Sequence, residues 1–196
     1  VDGSVMTSHT CDSHDGRTWL HVVLRQKHAP GSMNRIYLKT DLMESYGDTT
    51  GLVYKGSIPH VAETYAYIYG FYACINEHQL SIGESTFGGK DVMKSDRGMF
   101  NLYELTRLMA ERCTTAREAI RLADELLTKY GYNDSGECLT IADTKEVWMF
   151  EVVGPGRINY ALCGNVEPAM HGHVIPRYAD EPDALRTAHT WAHVWA

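Results

Sequence analysis

The sequence predicts an α+β fold in which strands and helices occupy separate parts of the chain. Three observations predict it: β-rich segments fill the first hundred residues, two amphipathic helical patterns follow over 101–130, and a β-hairpin pattern returns at 138–153. Strands, then helices, then strands again are typical of segregated layers, because a parallel βαβ fold would alternate the two element types.

The first forty residues predict short strands joined by turns. Asp2-Gly3 is a turn signal placed ahead of a strand at Ser4–Thr10. Trp19–Leu24 is apolar and rich in β-forming residues, and Ile36–Lys39 is its expected partner. The Pro30-Gly31 turn between these two segments predicts that they form a hairpin.

Two more strands are expected before the helices. The segment Thr64–Tyr72 is rich in Tyr and Ile, and tyrosines recur at every second position, as in a strand with one aromatic face. That face would carry Tyr65, Tyr67 and Tyr69. Leu80–Glu84 predicts a further short strand, which the Gly88-Gly89 turn would close.

The middle of the chain predicts two adjacent helices, over 101–112 and 115–130. Apolar residues recur there at helical spacing, and Asn101 and Thr115 provide polar side chains that cap helix starts. Gly131 provides the stop expected at the end of the second helix. Because the link between the two patterns is so short, we expect both helices to lie side by side on one outer face.

The chain returns to β-structure after the helices. Cys138–Ala142 and Val147–Val153 flank a short polar loop, which predicts a hairpin. The pattern weakens beyond residue 156, so we divide the chain into a core domain of residues 1–156 and a divergent segment of residues 157–196. Within that segment we expect a helix at 182–195.

Composition argues against several classes of protein. The net charge of −7 argues against a nucleic-acid-binding protein, which usually carries a basic surface. No apolar run approaches the ~20 residues that span a bilayer, and no signal peptide is visible. Five cysteines, an odd number without a CxxC pair, predict free thiols. The sequence leaves the compartment open between the cytoplasm and a secreted or periplasmic location.

Motifs for phosphate or metal binding are incomplete. The stretch 83–90 resembles a P-loop, but it has one residue too many and Asp91 stands where Ser or Thr would bind magnesium. His189 and His193 would share one helix face, with His171 and His173 nearby in sequence, but no further ligand falls at metal-site spacing. We therefore expect no metal and no other cofactor.

Cys11 has neighbours that suit a nucleophile. Asp12 follows it directly, and His9 and His14 lie close in sequence. Successive residues of a strand point to opposite faces, however, so Cys11 and Asp12 would not serve one site if the strand continued. We interpret Cys11 as a buried structural thiol.

The polar stretch Asn76–Glu84 allows two interpretations. At the mouth of a strand, the amide of Asn76 could donate a hydrogen bond to an oxyanion. Composition alone favours the other interpretation, in which Asn76 is a turn residue and Glu84 is a solvated carboxylate.

Six runs of residues, in this order along the chain, resemble one known family. They are Asp2-Gly3-Ser4 with His9-Thr10-Cys11-Asp12, Gly56-x-Ile58-Pro59, Glu63–Tyr67, Asn76-Glu77-x-Gln79-Leu80-x-Ile82–Gly89, Arg112-Cys113-x-Thr115–Ile120, and Tyr130-Gly131-Tyr132-x-Asp134–Asp143. Over residues 1–155 the chain is similar to the C69 dipeptidases, cysteine peptidases of the bacterial dipeptidase A type that are related to secernins.

This resemblance implies the fold and mechanism of the N-terminal nucleophile hydrolases. The implied fold is a four-layer αββα sandwich, in which two antiparallel sheets face each other. An N-terminal Cys thiolate would attack the peptide carbonyl, its own α-amine would act as the base, and water would release the acyl-enzyme. The implied substrate is a dipeptide, and we expect a homo-oligomer.

The resemblance also assigns site residues. Asp12 would orient the amine of the nucleophile, and Asn76 matches the oxyanion-hole Asn of the related penicillin and bile-salt hydrolases. Four further residues are candidates for substrate binding: His9, Glu84, Glu137 and Asn165. His9 stands where better-known members carry Arg.

The nucleophile itself is the main departure from the family. Its Cys lies a short distance before the Asp-Gly-Ser run, so we expect it upstream of Val1. If the full-length gene lacks that Cys, the alternative is a non-catalytic binding or assembly subunit with the same fold.

Overall fold

The computed structural model describes residues 5–9, 20–38, 49, 51–70, 73–88, 96–152, 157–163 and 171–177, the last two segments by their backbone alone. The described strands are β1 (His21–Val23), β2 (Gln26–Lys27), β3 (Met33–Leu38), β4 (Val53–Pro59), β5 (Glu63–Thr64), β6 (Tyr67–Gly70), β7 (Ala73–Asn76), β8 (Ser81–Gly88), β9 (Gly136–Ala142), β10 (Val147–Val152), β11 (Arg157–Cys163) and β12 (His171–Arg177). The described helices are α1 (Leu102–Arg112) and α2 (Ala116–Tyr130).

The largest sheet has six strands in the order β1-β6-β7-β8-β9-β10. All its neighbouring strands are antiparallel. Three antiparallel two-stranded ladders accompany it: β3-β4, β2-β5 and β11-β12. The predicted α+β class is confirmed, since the strands precede and follow a pair of helices and no strand pair of these sheets is parallel.

Both predicted helices are present, and local signals set their ends. The Asn101 side chain accepts a hydrogen bond from the backbone of Glu104 at the start of α1. Thr115 and Glu118 form a reciprocal capping box at the start of α2. Gly131 ends α2 with a φ of 78°, a left-handed conformation that glycine adopts without steric cost.

The two helices contact each other and the same sheet, α1 over β7 and β8 and α2 over β9 and β10. Ladder register places Ile82, Ile141 and Trp148 in one row and Leu139 with Phe150 in the next, all buried. These rows form the helix-facing side of the sheet, and their burial supplies much of the hydrophobic stabilisation.

Helix α1 is buried on nearly its whole circumference because the β3-β4 hairpin lies on its other side. Ile36 and Ile58 of the hairpin are 0% and 1% exposed within the same core as Leu105 and Met109. Gly56, at a φ of 149°, faces the Met99 side chain so closely that a Cβ would stand 2.5 Å from Met99 Cε. Met99, three residues before α1, is thereby held against the hairpin.

The opposite side of the sheet carries exposed apolar residues. Val22, Ile68 and Ile75 form one cross-strand row, and Met149 lies on the same side of β10. Neither helix in the described part of the chain has the length and apolar character that crossing a membrane requires.

Two of the strand predictions are wrong. Ile36–Lys39 does not pair with Trp19–Leu24: β3 pairs with β4, and β1 pairs with β6. Pro30-Gly31 does form a turn, closed by a bond from Ser32 N to Ala29 O, but the partners of the flanking strands come from later in the chain. Residues 5–9 of the expected strand Ser4–Thr10 have no regular secondary structure.

Other strand predictions are confirmed in part. The hairpin after the helices is β9-β10, with Ala142 opposite Val147. The expected strand Thr64–Tyr72 is divided into β5 and β6, and Tyr67 and Tyr69 share a buried face. Strands β4 and β7 have no strong alternation and were not predicted. The expected helix at 182–195 lies outside the described residues.

Candidate functional site

Two of the predicted substrate-binding residues, Glu84 and Glu137, meet on the helix-facing side of the sheet. Strands β8 and β9 pair with Glu84 opposite Leu139 and Thr86 opposite Glu137. Residues two apart on a strand share a face, so the two glutamates are diagonal neighbours on one side. We call Glu84 and Glu137 the acid pair.

The acid pair is buried but lies close to the surface. Glu84 is 6% and Glu137 4% exposed, whereas the neighbouring Thr86 is exposed. Thr86 Oγ1 donates a hydrogen bond to Glu84 Oε2 over 3.3 Å, and Ser135 Oγ donates one to Glu137 Oε1 over 3.2 Å. Glu137 Oε2 is buried and receives no hydrogen bond from the described donors.

Protonation of Glu137 supplies the hydrogen-bond donor that the acid pair lacks. Burial, and then a hydrogen bond with the Glu84 carboxyl, raise the pKa of Glu137 to about 8. Glu137 therefore holds a proton at neutral pH, and its O–H is a donor for the hydrogen bond with the Glu84 carboxyl. The acid pair shares one proton because two adjacent buried carboxylates cannot both be charged at low cost.

His9, a third predicted binding residue, lies against the acid pair. Its Nε2 is 3.8 Å from Glu84 Oε1. Gly83 makes this approach possible, since a Cβ on Gly83 would stand 2.9 Å from His9 Cβ. The structure thus brings together His9, Glu84 and Glu137, three residues that span 128 positions of the sequence.

The acid pair lies near the N-terminal end of α1. Asp134 Oδ2 accepts a hydrogen bond from Leu102 N, and Asp134 Oδ1 accepts one from Ser135 N, which places the start of β9 at this helix end. Thr86 and Ser135 were not among the predicted site residues. The sequence could have indicated them by spacing, because each lies two residues from one glutamate. Residues at that spacing share a face of the strand or of its extension.

Asn76 has a different environment, at the other end of the same helix. Its Nδ2 donates to Ala110 O at 2.9 Å and to Cys113 O at 2.7 Å, both at the C-terminal end of α1. Its Oδ1 accepts from the backbone of His78 and Leu80. Both amide hydrogens thus satisfy helix carbonyls that would otherwise lack partners. The oxyanion role stays a prediction, and it would need one of these hydrogens.

The three cysteines whose side chains the structure describes are poor nucleophiles. Burial raises the pKa of Cys74 and of Cys113 to about 12 each, and the pKa of Cys138 to about 11. At neutral pH, about one molecule in 10,000 or fewer would carry a thiolate at any of them. A cysteine-type reaction would need another thiol.

Several predicted residues lie outside the described residues. These are Asp12, Asn165 and Cys11, so the roles assigned to them stay predictions. Within the described part of the chain, no group of three or more His, Cys, Asp and Glu side chains is placed to hold a metal ion.

Comparison with family models gives one match. The model described as Peptidase family C69 matches residues 1–165. The matched region contains the whole six-stranded sheet, both helices and the acid pair. The division of the chain at residue 156 stays a prediction.

Proposed function

This chain belongs to peptidase family C69, and we propose that within this family it hydrolyses dipeptides and holds their free α-amino group at the acid pair. Family membership makes it part of a cysteine-type peptide-bond hydrolase. The preference for dipeptides and the residues that create it are the proposal. The alternative of a non-catalytic subunit is not favoured by the family match.

The observation that carries the proposal is the unpartnered oxygen of Glu137. A buried carboxyl pair that holds one proton has a net charge of −1. Its Oε2 on Glu137 has no hydrogen-bond partner among the described residues. The α-ammonium of a dipeptide offers three N–H donors and one positive charge. Ammonium binding would displace the shared proton and pair both carboxylates, so the site would favour a charged amine over a neutral or acylated one.

A fixed ammonium would also determine which peptide bond is cleaved. If the α-amino group is anchored, the scissile carbonyl lies a fixed number of bonds away, and only the first peptide bond reaches the nucleophile. His9, beside Glu84, would contribute a polar contact to the same end of the substrate. Asn165 remains a proposed contact on the substrate side.

The proposed nucleophile is an N-terminal Cys that precedes Val1 in the intact protein. Its α-amine would take the thiol proton, and Asp12 would orient that amine. The sulfur would bond to the carbonyl carbon, the C–N bond would break, and the leaving amine would take up the proton. Water would then cleave the thioester and restore the thiol. The raised pKa values of Cys74, Cys113 and Cys138 support a nucleophile from outside this group.

The four-layer αββα sandwich is part of the proposal. The uncovered row of Val22, Ile68 and Ile75 supports it, because a sheet face that carries apolar side chains is stabilised by a second sheet about 10 Å away. The described helices cover the other face.

The test compares dipeptides with their N-acetyl derivatives, using the full-length protein. We expect acetylation to lower kcat/KM by at least about 100-fold, as loss of a buried charge contact does. Glu137→Gln should raise KM for the free dipeptide by about 10-fold or more with a smaller effect on kcat, because it weakens ammonium binding. Glu125→Gln, at an exposed position of α2, is the matched control.

Equal hydrolysis of free and acetylated dipeptides would refute the ammonium site. Peptide hydrolysis that survives replacement of the upstream Cys would refute the nucleophile. Labelling with a thiol-reactive substrate analogue, followed by peptide mapping, identifies the cysteine that reacts.

A further inference from the structure

A second group of buried polar atoms lies at the end of α1 opposite to the acid pair. Four side-chain atoms there have no hydrogen-bond partner in the described part of the chain: Ser32 Oγ, Asn34 Nδ2, His60 Nδ1 and Arg112 Nε. We call these four residues the donor cluster. Helix α1 has 11 residues, so its two ends are about 16 Å apart and the donor cluster is separate from the acid pair.

Strand register brings three members of the donor cluster together. Asn34 lies opposite Ile58 in the β3-β4 ladder, and the bond from His60 N to Ser32 O continues the same register. Cross-strand partners, and residues two apart on a strand, share one face. Ser32, Asn34 and His60 therefore project from the same side of the hairpin as Ile58, which is buried in the core that contains α1.

Arg112 reaches this place from the end of α1. One of its terminal nitrogens donates to Pro59 O over 3.3 Å, and Pro59 is the residue before His60. Burial lowers the pKa of His60, and His28 and Arg112 lower it further, while Glu111 opposes them. Glu111 is already engaged, since it binds Arg107 at 2.7 Å and accepts from the Tyr67 hydroxyl. Glu111 is therefore not free to pair with Arg112, and the Arg112 Nε–H has no acceptor among the described residues.

Leaving these atoms unpaired would be costly. A buried polar group without a partner has lost its hydration and gained no hydrogen bond in return, and native proteins have only a few such groups per 100 residues. In the described part of the chain, four such atoms belong to this one cluster. Asn34 is only 8% exposed, so bulk water does not solvate it.

The chemistry of the four atoms selects the ligand. Arg112 Nε and Asn34 Nδ2 can only donate, and the Ser32 hydroxyl and a neutral His60 ring can donate as well. A carboxylate accepts about four hydrogen bonds on its two oxygens and also neutralises the arginine. We propose that Ser32, Asn34, His60 and Arg112 bind the carboxylate group of a small organic acid.

The first test is an NMR titration of the full-length protein with sodium formate, replacing sodium chloride at constant ionic strength. The side-chain signals of Asn34 and of Arg112 Nε–H should shift and saturate. The Arg117 Nε–H signal is the internal control, because this arginine already pairs with Glu146 at 2.8 Å. Absence of saturable shifts up to about 100 mM formate, a hundred times a Kd of about 1 mM, would overturn the proposal.

The second test measures the Tm in the same salt series. Wild type and Arg117→Met should gain about 3–6 °C at ten times the Kd, while Arg112→Met and Asn34→Leu should gain nothing. An equal gain in all four proteins, or a gain with inorganic phosphate and none with formate, would contradict a carboxylate site. If Arg112→Met does not fold, Asn34→Leu and the NMR titration decide the question. Neither readout depends on peptidase activity.

Discussion

Two pairs of glutamates in this protein are buried to the same extent, but their negative charges are neutralised in different ways. Glu104 and Glu111 on α1 are 4% and 6% exposed, and so are Glu137 and Glu84 of the acid pair. On the helix, Arg107 lies between the two carboxylates and binds both. On the sheet, the His9 ring nitrogen Nε2 lies 3.8 Å from Glu84 Oε1, and Glu137 retains its proton.

The difference shows how a buried acid becomes part of the framework or remains available. A carboxylate removed from water must be paired or protonated. The helix supplies its own cation three residues after Glu104 and four residues before Glu111, so that network is complete. The acid pair is completed by a proton, which we propose a substrate ammonium replaces. Three experiments test this difference between the two glutamate pairs.

The largest effect is expected at Arg107. Arg107→Met would leave Glu104 and Glu111 buried without their cation, which should destabilise the fold by about 3–5 kcal/mol. Urea unfolding of the full-length protein measures it. Arg117→Met is the matched control, because the Arg117–Glu146 pair is half exposed and should contribute less than about 1 kcal/mol. If both variants lose equally little, the helix network is not a framework element.

Asn76 tests whether a fully bonded polar group can also be catalytic. Asn76→Ala removes two hydrogen bonds that Nδ2 donates to the end of α1 and two that Oδ1 accepts in the β7-β8 turn, so we expect a loss of about 2–4 kcal/mol in unfolding free energy. An oxyanion role would instead lower kcat by on the order of 10²–10³ in protein of unchanged stability. Unfolding curves measure the loss of stability, and kcat of the folded fraction measures the loss of catalysis, so together they distinguish the structural role from the oxyanion role. Ser85→Ala is the control at an exposed position.

The smallest effect is a pH dependence that belongs to the acid pair. The pKa of Glu137 is about 8 in the folded protein and near 4.5 in an exposed glutamate. Between these values the folded state binds more protons than the unfolded state, so stability should fall as pH rises from 5 to 8. We expect Glu137→Gln to remove most of the decline that comes from this group. Unfolding free energies at several pH values measure this change. Glu125→Gln should leave the slope of unfolding free energy against pH unchanged. An unchanged slope in Glu137→Gln as well would contradict a shared proton.

The helices could be predicted almost to the residue. The Asn101 and Thr115 side chains cap the two helices through hydrogen bonds to backbone groups three residues later. Gly131, which ends α2, is an equally local signal. The hairpin of β9 and β10 is also close in sequence. The partners of β1 and β3 were predicted wrongly because Pro30-Gly31 indicates a turn but carries no information about which strand lies alongside.

Individual members of the acid pair could be predicted from the family resemblance, and their chemistry could not. Composition favoured a solvated Glu84, whereas the residue is buried, because β8 and β9 place it in the row with Leu139 and Phe150. The shared proton follows from that burial and from the diagonal position of Glu137.

The sequence by itself determined the α+β class, the two helices with their ends, the last hairpin and membership of the family. These rest on bonds between residues a few positions apart and on periodic patterns that every residue carries locally. Only the tertiary structure decided the order of the six-stranded sheet, the burial of α1 beneath the β3-β4 hairpin, the meeting of His9 with the acid pair, and the donor cluster. Each of these depends on strand pairing between distant segments, where a shift of one residue would turn every side chain to the other face.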